Sequence, residues 1–143
     1  MEKPLMLSQL SSPRNVLSIG ALFLLFSVLA FATAVSGSEL VSGRYTAASG
    51  KNIVLALSIG NPSPSNLIVE QYITPGNSVQ ATSPKAIKVD NRQGKVKWLF
   101  RNTRSGKLQL TITLQNPLQG QVEAMARYRD PRDGQFTELR IRP

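Results

Sequence analysis

Seven carboxylates, Glu39, Glu70, Asp90, Glu123, Asp130, Asp133 and Glu138, are the groups after residue 37 from which acid-base chemistry could be built. The chain has no histidine and no cysteine. That excludes Ser-His-Asp and Cys-His nucleophiles, thiolate chemistry, and zinc sites ligated by His or Cys. A glycosidase needs two carboxyl groups facing each other across a cleft, yet these seven stand singly, apart from Asp130 and Asp133 in one turn. The expectation is a non-enzymatic chain with no catalytic residue, no cofactor and no metal.

Asp130-Pro131-Arg132-Asp133-Gly134 has two readings. Aspartates on a loop can supply hard oxygen ligands to calcium. The same residues also suit a hairpin turn, in which Asp accepts backbone N–H groups and Gly takes positive φ. Arg129 and Arg132 would neutralise the field of a cation site, which favours the turn. Asn61-Pro62-Ser63-Pro64-Ser65 is similarly read as a stiff connection between strands rather than a recognition loop.

The basic residues segregate by parity. If Val96, Trp98 and Phe100 point inward, Lys95, Lys97 and Arg101 point outward. If Leu108, Leu110, Ile112 and Leu114 point inward, Lys107 points outward, and Arg127 and Arg129 oppose Ala126 and Tyr128. Were these strands neighbours in one sheet, Lys95, Lys97, Arg101, Lys107, Arg127 and Arg129 would form a continuous face for an anionic polymer or headgroup. The plainer reading is a solvated face that aids solubility and blunts sheet edges. No aromatic residue is expected among these cations, which disfavours single-stranded nucleic acid. Trp98 reads as core rather than as a ligand platform.

The elements that must carry these residues are strands. Ile53, Leu55, Leu57 and Ile59 alternate, as do the two runs above and Val122, Ala124, Ala126 and Tyr128. Turn residues interrupt the runs at 61–66, 74–77, 91–94, 103–106, 116–120 and 130–134. Strands are expected at 39–47, 52–59, 66–73, 78–82, 86–90, 95–101, 107–115, 121–129 and 135–142. In the last, Phe136 is out of phase with Leu139 and Ile141, which suggests a bulge, with strand donation to another copy as the alternative. The predicted class is all-β, an Ig-like two-sheet antiparallel sandwich preceded by one N-terminal hydrophobic helix.

IVLALSIGNPSPSNLIVEQYITPGNSV, GKVKWLF, SGKLQLTITLQNP and GQVEAMARYRD follow one another over about residues 53–129. This succession resembles the DUF11-type conserved-repeat modules, Ig-like units of prokaryotic surface proteins. The resemblance implies a structural or binding module without an active site. The chain departs from the family in carrying one copy and in continuing with RDPRDGQFTELRIRP.

Before this domain, residues 16–35 form an apolar run behind Lys3 and Arg14, with a small-residue exit. A secretory signal has these three parts. Cleavage after Ala34 or after Gly37 is expected, although about 20 apolar residues would also span a bilayer as a retained anchor. Trimming near Arg14 would make a pilin-like subunit instead. The positive flank places the domain outside the cytoplasm in each case. The division is therefore 1–37, signal peptide or signal anchor, and 38–143, the sandwich.

Residues 38–143 carry 15 Lys+Arg and 7 Asp+Glu, formally +8. This balance favours anionic glycans or lipid headgroups, while export disfavours nucleic acid. Cysteine-free export suggests a prokaryotic source. The functional expectation is an envelope or surface structural and interaction module, periplasmic or on the cell surface. Its partners would be other envelope proteins or further copies of itself, and the membrane if the N-terminal segment is retained. A pilin-like filament subunit and a binder of anionic envelope polymers are the alternatives.

Overall fold

Apolar residues at every second position can share a core only if the strands stack as sheets with their apolar faces together. The computed structural model describes residues 39–143, which form nine strands. These are β1 (Val41–Ser49), β2 (Asn52–Ile59), β3 (Asn66–Ile73), β4 (Val79–Ser83), β5 (Lys88–Asp90), β6 (Lys95–Arg101), β7 (Gly106–Leu114), β8 (Val122–Arg129) and β9 (Phe136–Ile141). Among the described residues there is no helix, and so none long and apolar enough to cross a membrane. The expected N-terminal helix, with the cleavage positions Ala34 and Gly37, lies outside the described residues.

One sheet has the order β1-β2-β7-β4 and the other β5-β6-β3-β8-β9. All pairings are antiparallel. β2 turns Ile53, Leu55, Leu57 and Ile59 inward beside Leu110 and Ile112 of β7. Leu67 and Val69 of β3, Val96 and Trp98 of β6, and Val122, Ala124, Ala126 and Tyr128 of β8 supply the other half of the core. Each Leu or Ile so buried contributes about 1.5–3 kcal/mol. Trp98 lies in the core as its parity required, and its Nε1 donates to the Pro84 carbonyl at 2.8 Å.

One polar residue crosses the core. Gln71 of β3 is buried, and its Oε1 accepts from Tyr45 Oη of β1 at 2.9 Å, joining the two sheets. Gln71 Nε2 donates to the carbonyls of Tyr72 and Glu123, so no half of the amide is orphaned. Burial pushes the Tyr45 phenol above its ordinary range, against the opposing effect of its bond to Gln71.

Two expectations need correction. The first strand runs to Ser49 rather than 47, because Gly50 at φ 62° permits a two-residue hairpin pairing Ser49 with Asn52. In β9 there is no bulge: pairing with β8 is regular from Arg129–Phe136 to Ala124–Ile141. Phe136 is out of phase with Leu139 and Ile141 because it stands on the outer face, 79% exposed. The register shifts fall in β1 at Tyr45/Ala47 and in β4 at Val79/Ala81 instead.

The 91–94 turn depends on Gly94, which has φ 63° and whose carbonyl accepts from Ile73 N at 2.7 Å. A Cβ there would collide with the Ile73 carbonyl oxygen, and backbone cannot step aside as a side-chain tip can. Gly94→Ala is expected to cost at least about 2 kcal/mol, left-handed strain and clash together. Thermal unfolding checks this, and an unchanged midpoint would refute it.

Candidate functional site on the five-stranded sheet

The outer face of β5-β6-β3-β8-β9 is built by residues alternate to the core. Register places Lys95 opposite Tyr72, Lys97 opposite Glu70, Leu99 opposite Ile68 and Arg101 opposite Asn66. On the other side of β3, Glu123 faces Tyr72, Met125 faces Glu70 and Arg127 faces Ile68. Arg140, Glu138 and Phe136 of β9 lie across from Met125, Arg127 and Arg129. Five of the six predicted cations, Lys95, Lys97, Arg101, Arg127 and Arg129, thus share one face.

Lys107 does not. It is on β7, paired with Ser58 of β2 in the other sheet. Parity tells inside from outside, but it carries no information about which sheet a strand joins. Lys107 is therefore removed from the cationic face.

The continuous cationic surface is also corrected, by a carboxylate at its centre. Glu70 is 3% exposed although it points outward. Lys95 Nζ lies 3.0 Å and Lys97 Nζ 3.3 Å from its Oε1, while Arg127 Nη1 at 3.2 Å and Tyr72 Oη at 2.9 Å reach its Oε2. Burial alone would raise its pKa. The hydrogen bonds from Lys95, Tyr72 and Lys97 outweigh that and bring it down to about 2. Lys95 is raised above its usual range, chiefly by its bond to Glu70. Three of the predicted cations are thereby committed to a structural ion cluster.

Around this cluster the face is braced further. Arg127 Nε pairs with Glu138 at 2.8 Å and its Nη2 approaches Met125 Sδ at 3.1 Å. Glu123 receives Arg140 at 3.2 Å and Arg142 at 2.7 Å. These exposed pairs are each worth under about 1 kcal/mol. Arg101 and Arg129 have no carboxylate partner among the described residues. Arg129 instead stacks over the Phe136 ring, 5.0 Å from its centroid, and Lys95 lies 5.4 Å from that of Tyr72. Aromatic rings do stand among the cations, contrary to the sequence expectation, because Tyr72 and Phe136 come from strands whose register parity alone does not reveal.

At the Arg101 and Arg129 end, Asn66, Ile68, Arg127, Arg129, Pro131 and Phe136 line an open groove of about 740 Å³. The 130–134 segment beside it is a hydrogen-bonded turn. Asp130 N donates to Gln135 O and Gly134 N to Asp130 O, each at 2.8 Å. Asp130 accepts Arg132 N and the Arg132 guanidinium, which lowers its pKa, and Asp133 accepts Gln135 N. Both aspartates thus serve the turn rather than converge on a common point. In the 61–65 connection, Ser63 Oγ donates to Thr103 O at 2.6 Å and Ser65 O accepts from Asn102 N at 2.7 Å.

Glu70 is the functional-site residue that sequence reasoning missed. Its outward parity in LIVEQYI was legible, but its three cationic partners come from strands 25 or more residues away.

No protein-family model matches the chain, and no curated protein matches it. Among solved structures, it is similar to the reeler domain of human F-spondin with a TM-score of 0.40 and 14% identity, over 72% of this chain and 89% of that one.

Proposed function

We propose that residues 38–143 are an exported, non-enzymatic interaction module of a prokaryotic envelope or cell surface, with an Ig-like sandwich of the kind found in DUF11-type repeats. The observation that carries the reading is the apolar run at 16–35 placed directly ahead of a cysteine-free domain of formal charge +8. Strand order supports the finer fold assignment. β1-β2-β7-β4 takes the places of strands A, B, E and D, and β3-β8-β9 those of C, F and G. The β5–β6 hairpin extends the second sheet beside β3.

The non-enzymatic part rests on how the acids are used. Glu70, Glu123, Asp130 and Glu138 are tied to cations, while Asp90 Oδ1 caps the amides of Arg92 and Gln93 in a turn. An acid-base pair needs one carboxyl group left to hold a proton near neutrality, whereas hydrogen bonds from the neighbouring cations hold Glu70, Glu123 and Asp130 below the ordinary carboxylate range. Partners are other envelope proteins or further copies, with the membrane added if the apolar segment is retained.

Intact mass of the protein from soluble, membrane and sheared-surface fractions tests this. A chain starting at Val35 or Ser38 outside the cytoplasm is the expected result. A full-length membrane form would make it an anchored module, and trimming near Arg14 with assembly into filaments would favour the pilin-like alternative. A full-length protein confined to the cytoplasm overturns the proposal.

A further inference from the structure

Four strands border the two sheets, β1 and β4 in one, β5 and β9 in the other. A bordering strand presents unpaired N–H and C=O groups, and proteins blunt such edges by shortness or by bulges. β5 has three residues, and β1 and β4 each carry a register shift. β9 has neither device: its six residues pair with β8 in regular register from Phe136 to Ile141. Gly43 of β1 lies against the Ile141 side chain from the other sheet. Among the described residues, the open part of this edge is therefore 136–140.

The hydrogen bonds fix which main-chain groups face outward. Asp130 N donates to Gln135 O, and the β8–β9 register continues from that pair. Since bonded and non-bonded positions alternate along an antiparallel pair, Thr137, Leu139 and Ile141 turn toward β8, while Phe136, Glu138 and Arg140 turn to the edge. An added antiparallel strand must bond to these three. A second copy of β9 centred on Leu139 meets that condition: Glu138 stands opposite Arg140 of the copy and Arg140 opposite its Glu138, both at bonded positions. Leu139 meets its own equivalent at a non-bonded position, where side chains lie closest. Centring on Glu138 or on Arg140 instead sets a charge against itself, and parallel pairing in register does both. Glu138 and Arg140 remain 52% and 55% exposed despite their bonds to Arg127 and Glu123, so each can take a further partner.

We propose that β9 pairs antiparallel with β9 of a second copy about a two-fold axis at Leu139, joining the two five-stranded sheets into one. The pairing closes on itself, because both copies use the same strand, and it leaves neither β9 edge open. It also sets Arg142 of the second copy opposite Phe136, which is 79% exposed in the single chain. The inference rests on the interaction-module reading and names the partner as a further copy of this chain.

The test is sedimentation velocity on full-length protein in non-ionic detergent over a concentration series, in which a monomer–dimer equilibrium is expected. Glu138→Arg sets arginine against arginine at both symmetric positions and should weaken dimerisation about tenfold or more. Glu138→Arg/Arg140→Glu should restore it, although the double swap leaves the bonds to Arg127 and Glu123 broken. The chain has no cysteine, so single cysteines give a second readout. Leu139→Cys should cross-link copies on oxidation, because a non-bonded antiparallel pair has a Cα separation that suits a disulfide. Thr137→Cys, displaced from its own equivalent in this register, should cross-link far more slowly. A protein monomeric at every concentration, failure of the double swap to restore dimers, or equal cross-linking of the two cysteine variants would overturn the inference. So would a dimer indifferent to Glu138→Arg, which would place the association elsewhere, as in the apolar run at 16–35. Fractionation reports on export separately: a cytoplasmic dimer refutes export alone, and an exported monomer refutes the edge pairing alone.

Discussion

Trp98→Ala is expected to destabilise the domain by about 3–5 kcal/mol, a large share of the 5–15 kcal/mol typical of a domain. The indole is 2% exposed at the middle of β6, beside Val69 of β3. Its removal leaves a cavity that the flanking strands cannot close without breaking their ladders. It also removes the Nε1–H donor to the Pro84 carbonyl, a bond of 2.8 Å. Trp98→Phe keeps much of the packing while losing the hydrogen bond and part of the ring volume, and is expected to cost less, about 1–3 kcal/mol. Urea unfolding followed by far-ultraviolet circular dichroism measures both, since the chain has a single tryptophan and the variants lose it. A loss below about 2 kcal/mol in the alanine variant would contradict the core position given to the indole.

Glu70→Gln is expected to be nearly as damaging. The carboxylate is buried on a face otherwise open to water, held by Lys95, Lys97, Arg127 and Tyr72. Without it, three cations converge on a neutral amide; since those cations are themselves 32–43% exposed and can rehydrate, the loss is expected at about 2–3 kcal/mol, below that of a fully buried ion network. The folded-state pKa of about 2 lies below the ordinary 4.5, so folding favours the ionised form. That stabilisation, on the order of 3 kcal/mol, is fully present above about pH 4.5 and is lost as pH falls toward about 2. Wild-type stability should therefore decline across this window, and Glu70→Gln should show a flatter decline. At pH 7 the variant should melt roughly 10–20 °C lower. Thermal melts from pH 7 to 2 test both, and parallel curves would refute the assignment of the acid transition to Glu70.

These two residues separate fold from surface. Trp98 makes the sandwich a packed object, while Glu70 decides which cations are structural. Lys95, Lys97 and Arg127 look like an anion-binding stripe in the chain, yet in the folded domain they neutralise an internal acid. At the Asn66 end of β3, by contrast, Arg101 and Arg129 have no carboxylate partner among the described residues, and Phe136 stands outside the core.

The sequence by itself determined whatever depends on neighbours in the chain. Strand positions, turn glycines such as Gly94, and the inward set of Ile53, Leu55, Leu57, Val96 and Trp98 follow from a side-chain period of two and from local backbone preferences. Even the outward direction of Phe136 was written in its phase, although the phase break pointed toward a bulge. Tertiary structure alone decided which strands lie side by side. It sent β7, and Lys107 with it, to the opposite sheet. It put β3 between β6 and β8, so that Glu70 met Lys97 across one register and lay next to Arg127 across another. It also brought Phe136 beside Arg129. The physical reason is that parity is a local property repeated identically on every strand, whereas strand order and register minimise the exposed apolar area of the whole chain at once.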